Sequence, residues 1–372
     1  MVEARLTTRR WLKVGRRATH PGDTAKKAKS MRMRLLAISW FLFCAGAPAS
    51  GQSVQPKTLE VPATAAWEHA ETGMILPANA GGFARGALTD SSGGAERDVS
   101  GTYSDLATRS VATVYVYRTM LPNAPLWFDR SLTQLPLMPV YTPAGAFPPA
   151  ITAFAPPKAS SASGLRASFA LVNGKLKSTA LAIAPLRGWL IKVRMSSETL
   201  DAPALEARLA DFIAGLRWPA EGKVPPPQAV PVAACGKPLS FKKAKIVRDD
   251  LAQVLINSVM AGASTDASGP VTYCREQGQP SERALYRPVG TDNSYVIALD
   301  DAGRFLTLGP ALSIEGIGAG GNRRFSLTHS RGDSNAVLPS FNRLPSPEQA
   351  LALAGSGKGS GISVTFGSGK TQ

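Results

Sequence analysis

Few residues in this chain have types and spacings that could do chemistry. Gly316-Ile317-Gly318-Ala319-Gly320-Gly321 spells G-x-G-x-x-G. That pattern seats a pyrophosphate only where it follows a strand and opens a helix. Here Asn322 to Leu327 follow and read as a strand, so a glycine turn is expected and no dinucleotide. Gly367-Ser368-Gly369-Lys370-Thr371 imitates the end of a P-loop, but Val364 stands where the first glycine is needed. Ser240-Phe241-Lys242-Lys243 fits S-x-x-K without its companion motifs S-D-N and K-T-G. It reads as a turn into a basic patch with Lys245 and Arg248, and the patch has no interleaved aromatics for stacking bases.

The histidines are as sparse. Beyond the N-terminal 50 residues only His69 and His329 remain, so a Ser-His-Asp triad would need one of them. His329 could meet Asp333 in space, yet Arg331-Gly332-Asp333 around it reads as a polar surface loop, and as an adhesion tripeptide it is too short a string to carry meaning. No H-x-x-x-H, H-E-x-x-H or G-x-S-x-G occurs. Paired carboxylates can hydrolyse glycosides without histidine, but Asp249/Asp250 and Asp300/Asp301 read as a helix start and a turn. No catalytic, cofactor-binding or metal-binding residue is assigned, and no cofactor is expected.

The elements that would position such groups fall into two segments. Val111 to Tyr117 is rich in β-branched and aromatic residues on both faces, as in a central strand. Asn173-Gly174 between Phe169–Val172 and Lys175–Ile183 signals a hairpin. From Trp189 to Met195, Trp189, Ile191, Val193 and Met195 alternate with Lys192 and Arg194, which predicts one buried and one wet face. Asp201 caps a helix whose Leu205, Leu209, Phe212, Ile213 and Leu216 form one stripe, and Pro219 stops it. A shorter helix is expected over Pro125 to Gln134, and a long loop over 140–164. Farther on, Leu251, Val254, Leu255 and Val259 make a helical stripe after Asp249. Ser294–Leu299 and Arg304–Leu308 flank a four-residue turn, Arg324–His329 is a strand, Pro347–Ala354 a helix, and Ile362–Phe366 a last strand.

These features give an α+β chain. An antiparallel sheet packed with helices occupies 59–219, and a smaller, strand-rich mixed α+β domain occupies 235–366. Residues 220–234, with Pro225-Pro226-Pro227, form an extended linker, and 367–372 a flexible tail. Trp67-Glu68, Gly73 to Pro77, Gly82 to Arg85, the Ala112–Tyr117 strand, the hairpin and the closing Leu209–Trp218 helix together resemble the Mog1/PsbP-like α+β fold. The resemblance covers the first domain, less than half the chain. It implies an interaction or accessory domain with no shared active site.

The N-terminus speaks to compartment. Arg32 and Arg34 precede an apolar run, Leu35 to Ala45, and Ala47-Pro48-Ala49 follows it. This is the order of a secretory signal peptide, with cleavage expected after Ala49. The run is too short to span a membrane. Met1, Met31 and Met33 are all candidate starts. Residues 1–50 hold 11 Lys/Arg against 2 Asp/Glu, so they carry more than half of the net charge of +16. The remainder is only mildly basic, which argues against nucleic acid as partner and suits an anionic polymer or envelope protein. Loss of Cys44 with the signal leaves Cys235 and Cys274, an even pair that reads as a disulfide in an exported chain. The reading is a periplasmic or secreted, non-enzymatic binding or accessory protein of the cell envelope, not membrane-spanning after cleavage. The competing reading is an exported hydrolase built on dispersed carboxylates.

Overall fold

A computed structural model describes residues 55–172, 174–247, 249, 253, 257, 271–279, 283–311, 324–332, 334–356 and 363–365. The expected signal segment, Cys44 and Ala49 lie outside the described residues. So do the glycine-rich 316–321, Arg248, Asp333, the tail from 366, and the helical stripe Leu251, Val254, Leu255 and Val259. In the same segment Gln253 and Asn257, outside that stripe, are helical and buried, with Gln253 Nε2 donating to Asn257 Oδ1 at 2.9 Å.

Strands dominate, in two nine-stranded sheets that are antiparallel except for one short pair. Numbered in chain order, the first sheet runs β1 (Lys57–Leu59), β5 (Phe83–Asp90), β6 (Asp98–Asp105), β7 (Ser110–Arg118), β11 (Trp189–Ser197), β10 (Ser178–Leu186), β9 (Gly164–Ala170), β8 (Thr152–Phe154), with β4 (Asn79–Ala80) beside β5. A separate pair joins β2 (Trp67–Glu68) to β3 (Ile75–Leu76). The second sheet runs β12 (Ala233–Ala234), β14 (Tyr273–Arg275), β15 (Ala284–Pro288), β16 (Tyr295–Ala298), β17 (Phe305–Pro310), β18 (Phe325–Arg331), β19 (Ser334–Phe341), β13 (Ile246–Val247), with β20 (Ser363–Thr365) also on β19. The parallel pair is β12 on β14.

Each sheet buries both faces, and the apolar clusters show how the layers stack. Helix α2 (Ala202–Gly215) begins at Asp201, whose side chain accepts from the Ala204 amide at 3.0 Å, a standard N-cap. Its Leu205, Leu209, Phe212 and Ile213 cover one face of the first sheet, against Val114, Val116, Ala182, Ile191 and Val193. The opposite face carries Tyr117, Leu165, Phe169, Leu181, Ile183 and Leu190. These pack on helix α1 (Ala124–Gln134) and, in the same cluster, on Ala284, Tyr286, Val296, Ala298 and Phe305 of the second sheet. The far face of the second sheet holds Leu285, Tyr295, Ile297, Leu306, Leu308 and Leu327 against Ala350 and Leu353 of the helix Pro347–Gly355. The order is therefore helix, sheet, α1, sheet, helix, and residues 53–372 cluster as one compact unit.

The expected hairpin is present: β9 and β10 pair antiparallel from Ala170↔Ser178, the Leu171 amide donates to Lys177 O at 2.9 Å, and Asn173 lies outside the described residues. On the other edge of β9, Leu171 bridges Pro143 and the Val172 amide donates to Thr142 O at 3.0 Å, so the 142–144 segment continues the place of β8. Two local expectations need correction. The face of β11 bearing Lys192 is not wet, because the second sheet covers it and leaves Lys192 5% exposed. The segment 220–234 is extended as expected, but it is packed: Ala229 is buried, its amide donates to Ala162 O at 2.9 Å, and Pro226 O accepts from Ser161 Oγ at 2.7 Å.

Candidate functional site

A cavity of about 710 Å³ opens where the packed segment 220–232 passes between the sheets. Its wall is rich in proline: Pro122, Pro125, Pro156, Pro157, Pro185, Pro219 and Pro225 to Pro227 all line it. Proline has a fixed φ and no amide hydrogen, so such a wall is stiff and offers few backbone donors. Leu121, Leu186, Trp218, Val296 and Phe305 add apolar surface. The second sheet contributes a polar strip, Thr307, Thr328, Ser330 and Asn335. These fall on one face because Thr307 opposes Thr328, and Ser330 opposes Asn335, in register. Ser330 Oγ donates to Asn335 Oδ1 at 2.6 Å.

Three charged residues line the cavity, and each is held by neutral protein groups. Lys158 Nζ donates to Trp218 O at 2.7 Å. Arg187 stands in the two-residue turn between β10 and β11, with φ of 51° there and 79° at Gly188, as a type I′ hairpin turn requires. Its guanidinium donates to Thr72 O at 3.2 Å and Ala220 O at 3.1 Å. Glu221 Oε2 accepts from the Ser160 amide at 2.9 Å and hydroxyl at 2.7 Å. Among the described residues Glu221 is the one carboxylate on the wall.

Two polar clamps hold the second-sheet side, one to β11 and one to α1. In the first, Lys192 Nζ donates to Asp301 O and Oδ2, both at 2.8 Å. The ammonium also stands 4.6 Å from the Tyr115 ring centroid and 5.6 Å from that of Tyr117. Burial works to raise the Asp301 pKa, but the charge and hydrogen bond of Lys192, with Arg194, hold it below the usual value. Burial pushes Asp98 the other way, up to about 6, against the pull of Lys192 and with help from Asp300, Asp90 and Asp301. In the second clamp, Asp129 of α1 accepts from Arg275 Nη1 at 3.1 and 3.2 Å and from the Tyr286 hydroxyl at 2.8 Å. Burial raises the Asp129 pKa, partly offset by Arg275, Tyr286 and Arg130.

The chain matches no protein-family model, no curated protein and no solved structure.

The residues singled out in the sequence do not converge on the cavity. His69 is buried between Trp67 and Trp189. Its Nε2 donates to Glu96 O at 2.8 Å, and its Nδ1 accepts from the Thr72 amide at 3.2 Å, so both ring nitrogens are used structurally. His329 is paired with Arg331 and stays neutral, its pKa lowered to about 4 by burial and by the charges of Arg331 and Arg304. Asp249 accepts from Arg324 Nη1 at 3.2 Å and the Ser340 amide at 3.0 Å. Asp300 shapes its turn by accepting from the amides of Ala302 and Arg304. Asp301, expected to serve the same turn, instead reaches across to Lys192. The exception is the disulfide: Cys235 and Cys274 are joined, and the bond fastens the end of the 220–234 segment to β14, next to the lining residues Val232 and Tyr273. No group of three or more His, Cys, Asp or Glu residues that could hold a metal occurs among the described residues.

Proposed function

We propose that the chain is an exported, non-enzymatic binding protein whose inter-sheet cavity takes up an apolar molecule. The composition of the cavity wall carries this reading. A preformed, mostly apolar cleft of this size with a few placed polar groups is what small-molecule sites consist of. Its charged residues are each anchored by protein groups, and among the described residues it presents a single carboxylate where acid–base hydrolysis would use two. Export is supported by the signal-like order at 32–49 and by a disulfide of the kind that persists in oxidising compartments. No helix among the described residues is long and apolar enough to cross a membrane. The Mog1/PsbP-like, accessory reading of the first segment agrees with a binding role, as does an α+β arrangement of two sheets that share the cavity.

The test is binding of N-phenyl-1-naphthylamine, a neutral dye that fluoresces in apolar surroundings, to the full chain. Saturable one-to-one binding is expected, and Thr307→Trp, which fills the wall, should abolish it. Absence of binding, or binding untouched by Thr307→Trp, overturns the reading. One observation favours the hydrolase alternative: Asp98 and Asp301 titrate apart, as an acid and its partner carboxylate do. It requires hydrolysis of a chromogenic glycoside that Asp98→Asn removes.

A further inference from the structure

We propose that the cavity's ligand is a long-chain alkyl carboxylate or similar anionic amphiphile, with its chain between the sheets and its head at Lys158 and Arg187. This rests on the reading of the cavity as a binding site. Lys158 donates to the carbonyl of Trp218 and Arg187 to that of Ala220, both at the same stretch of chain. Two residues span at most about 7 Å, so both cations stand at one stretch of the wall. Carbonyl partners orient these groups without neutralising them. An ammonium has three donors and a guanidinium five, and the bonds to Trp218, Thr72 and Ala220 use one and two of them.

Among the described residues the rim has one opposing charge, Glu221, whose Oε2 is held by Ser160 through two hydrogen bonds and whose Oε1 has no partner in the protein. Two cations against one engaged carboxylate leave the rim net positive. Ser163 also lines the cavity, is 2% exposed, and its hydroxyl has no hydrogen-bond partner in the protein. A buried hydroxyl in that state is completed by a partner from outside the chain, a water or a ligand atom. The rest of the described wall carries no charge: beside the neutral strip of Thr307, Thr328, Ser330 and Asn335 it is largely proline, leucine, valine and aromatic surface, which suits methylene groups. Head and chain therefore have separate places, and the head is an anion.

Displacement of N-phenyl-1-naphthylamine from the full chain by hexadecanoate, hexadecanol and hexadecylamine, each below its aggregation concentration, tests this. Hexadecanoate should displace the dye at a concentration about tenfold or more below hexadecanol, since charge-assisted hydrogen bonds are roughly twice as strong as neutral ones. Hexadecylamine should be weakest. Lys158→Met with Arg187→Met should bring hexadecanoate to the level of hexadecanol and leave hexadecanol unchanged, a split that general damage to the cavity would not produce. If the double variant does not fold, the ranking on the unaltered chain decides. Equal potency of acid and alcohol with the dye still bound overturns the head-group assignment and spares the cavity. Failure of the dye itself to bind overturns both.

Discussion

Asp98 and Asp301 feel the same ammonium, that of Lys192, and titrate in opposite directions. Folded Asp98 holds its proton to about pH 6, whereas its ordinary value is 3.8. Between those values the native state binds more protons than the unfolded chain. Stability attributable to this group is therefore greatest below pH 4 and falls as pH rises to 6, by up to about 3 kcal/mol. Asp98→Asn should raise the denaturation midpoint at pH 7.5, and the gain should vanish at pH 4; urea titrations at the two pH values check this. Lys192→Met has the opposite sign. It leaves Asp301 O and Oδ2 without their donor, and Asp301 is still partly solvated at 38% side-chain exposure. The expected loss at neutral pH is about 1–3 kcal/mol, that of an unpaired polar group rather than of a fully buried charge.

The turn that carries Asp301 works only because of how closely it approaches the first sheet. Gly303 has φ of 87°, its carbonyl accepts from Thr119 Oγ1 at 3.0 Å, and a Cβ there would lie 2.8 Å from Thr119 Cβ. Gly303→Val combines a disfavoured backbone angle with that clash and should cost about 2–4 kcal/mol, read in the same urea titration. Elements of this kind divide into those a sequence announces and those it conceals. Helix α2 with its Asp201 cap, helix α1, the central β7, the hairpin around Asp300 and the Cys235–Cys274 bond follow from periodicity, capping and cysteine pairing. All but the last depend on residues within one or two turns of each other. The clamps do not: Lys192 and Asp301 are 109 residues apart, and Asp129 and Tyr286 are 157 apart. Alternation along β11 marks Lys192 as facing away from Val193 and says nothing of what covers it. The cavity was concealed for the same reason, since its walls come from both sheets and from a proline segment that reads as a spacer. One signal was present: Asp129-Arg130 follows Leu126-Trp127-Phe128 within α1, a charged pair on a helix too apolar to be half solvated.

At the scale of the molecule, the question is whether the two sheets are independent. Separate domains would each close their own core, and the boundary would be polar and loosely held. Instead one apolar cluster runs from Leu181 and Leu190 through α1 to Tyr286 and Phe305, and Trp127, fully buried, meets Phe305 edge-to-face at 6.1 Å. Removing either sheet would expose this cluster and strip Asp129 and Lys192 of their partners. The two sheets should therefore unfold in one cooperative transition, with calorimetric and van't Hoff enthalpies equal. Trp127→Ala should lower stability by about 3–5 kcal/mol, as loss of a large buried aromatic does. Because Trp127 sits between the sheets, the variant should also weaken their coupling, so that a second heat-absorption peak separates from the first. Two peaks already present in the unaltered chain would mean that each sheet is stable alone and that the shared cluster is a dockable interface, in which case Trp127→Ala would shift only one of them.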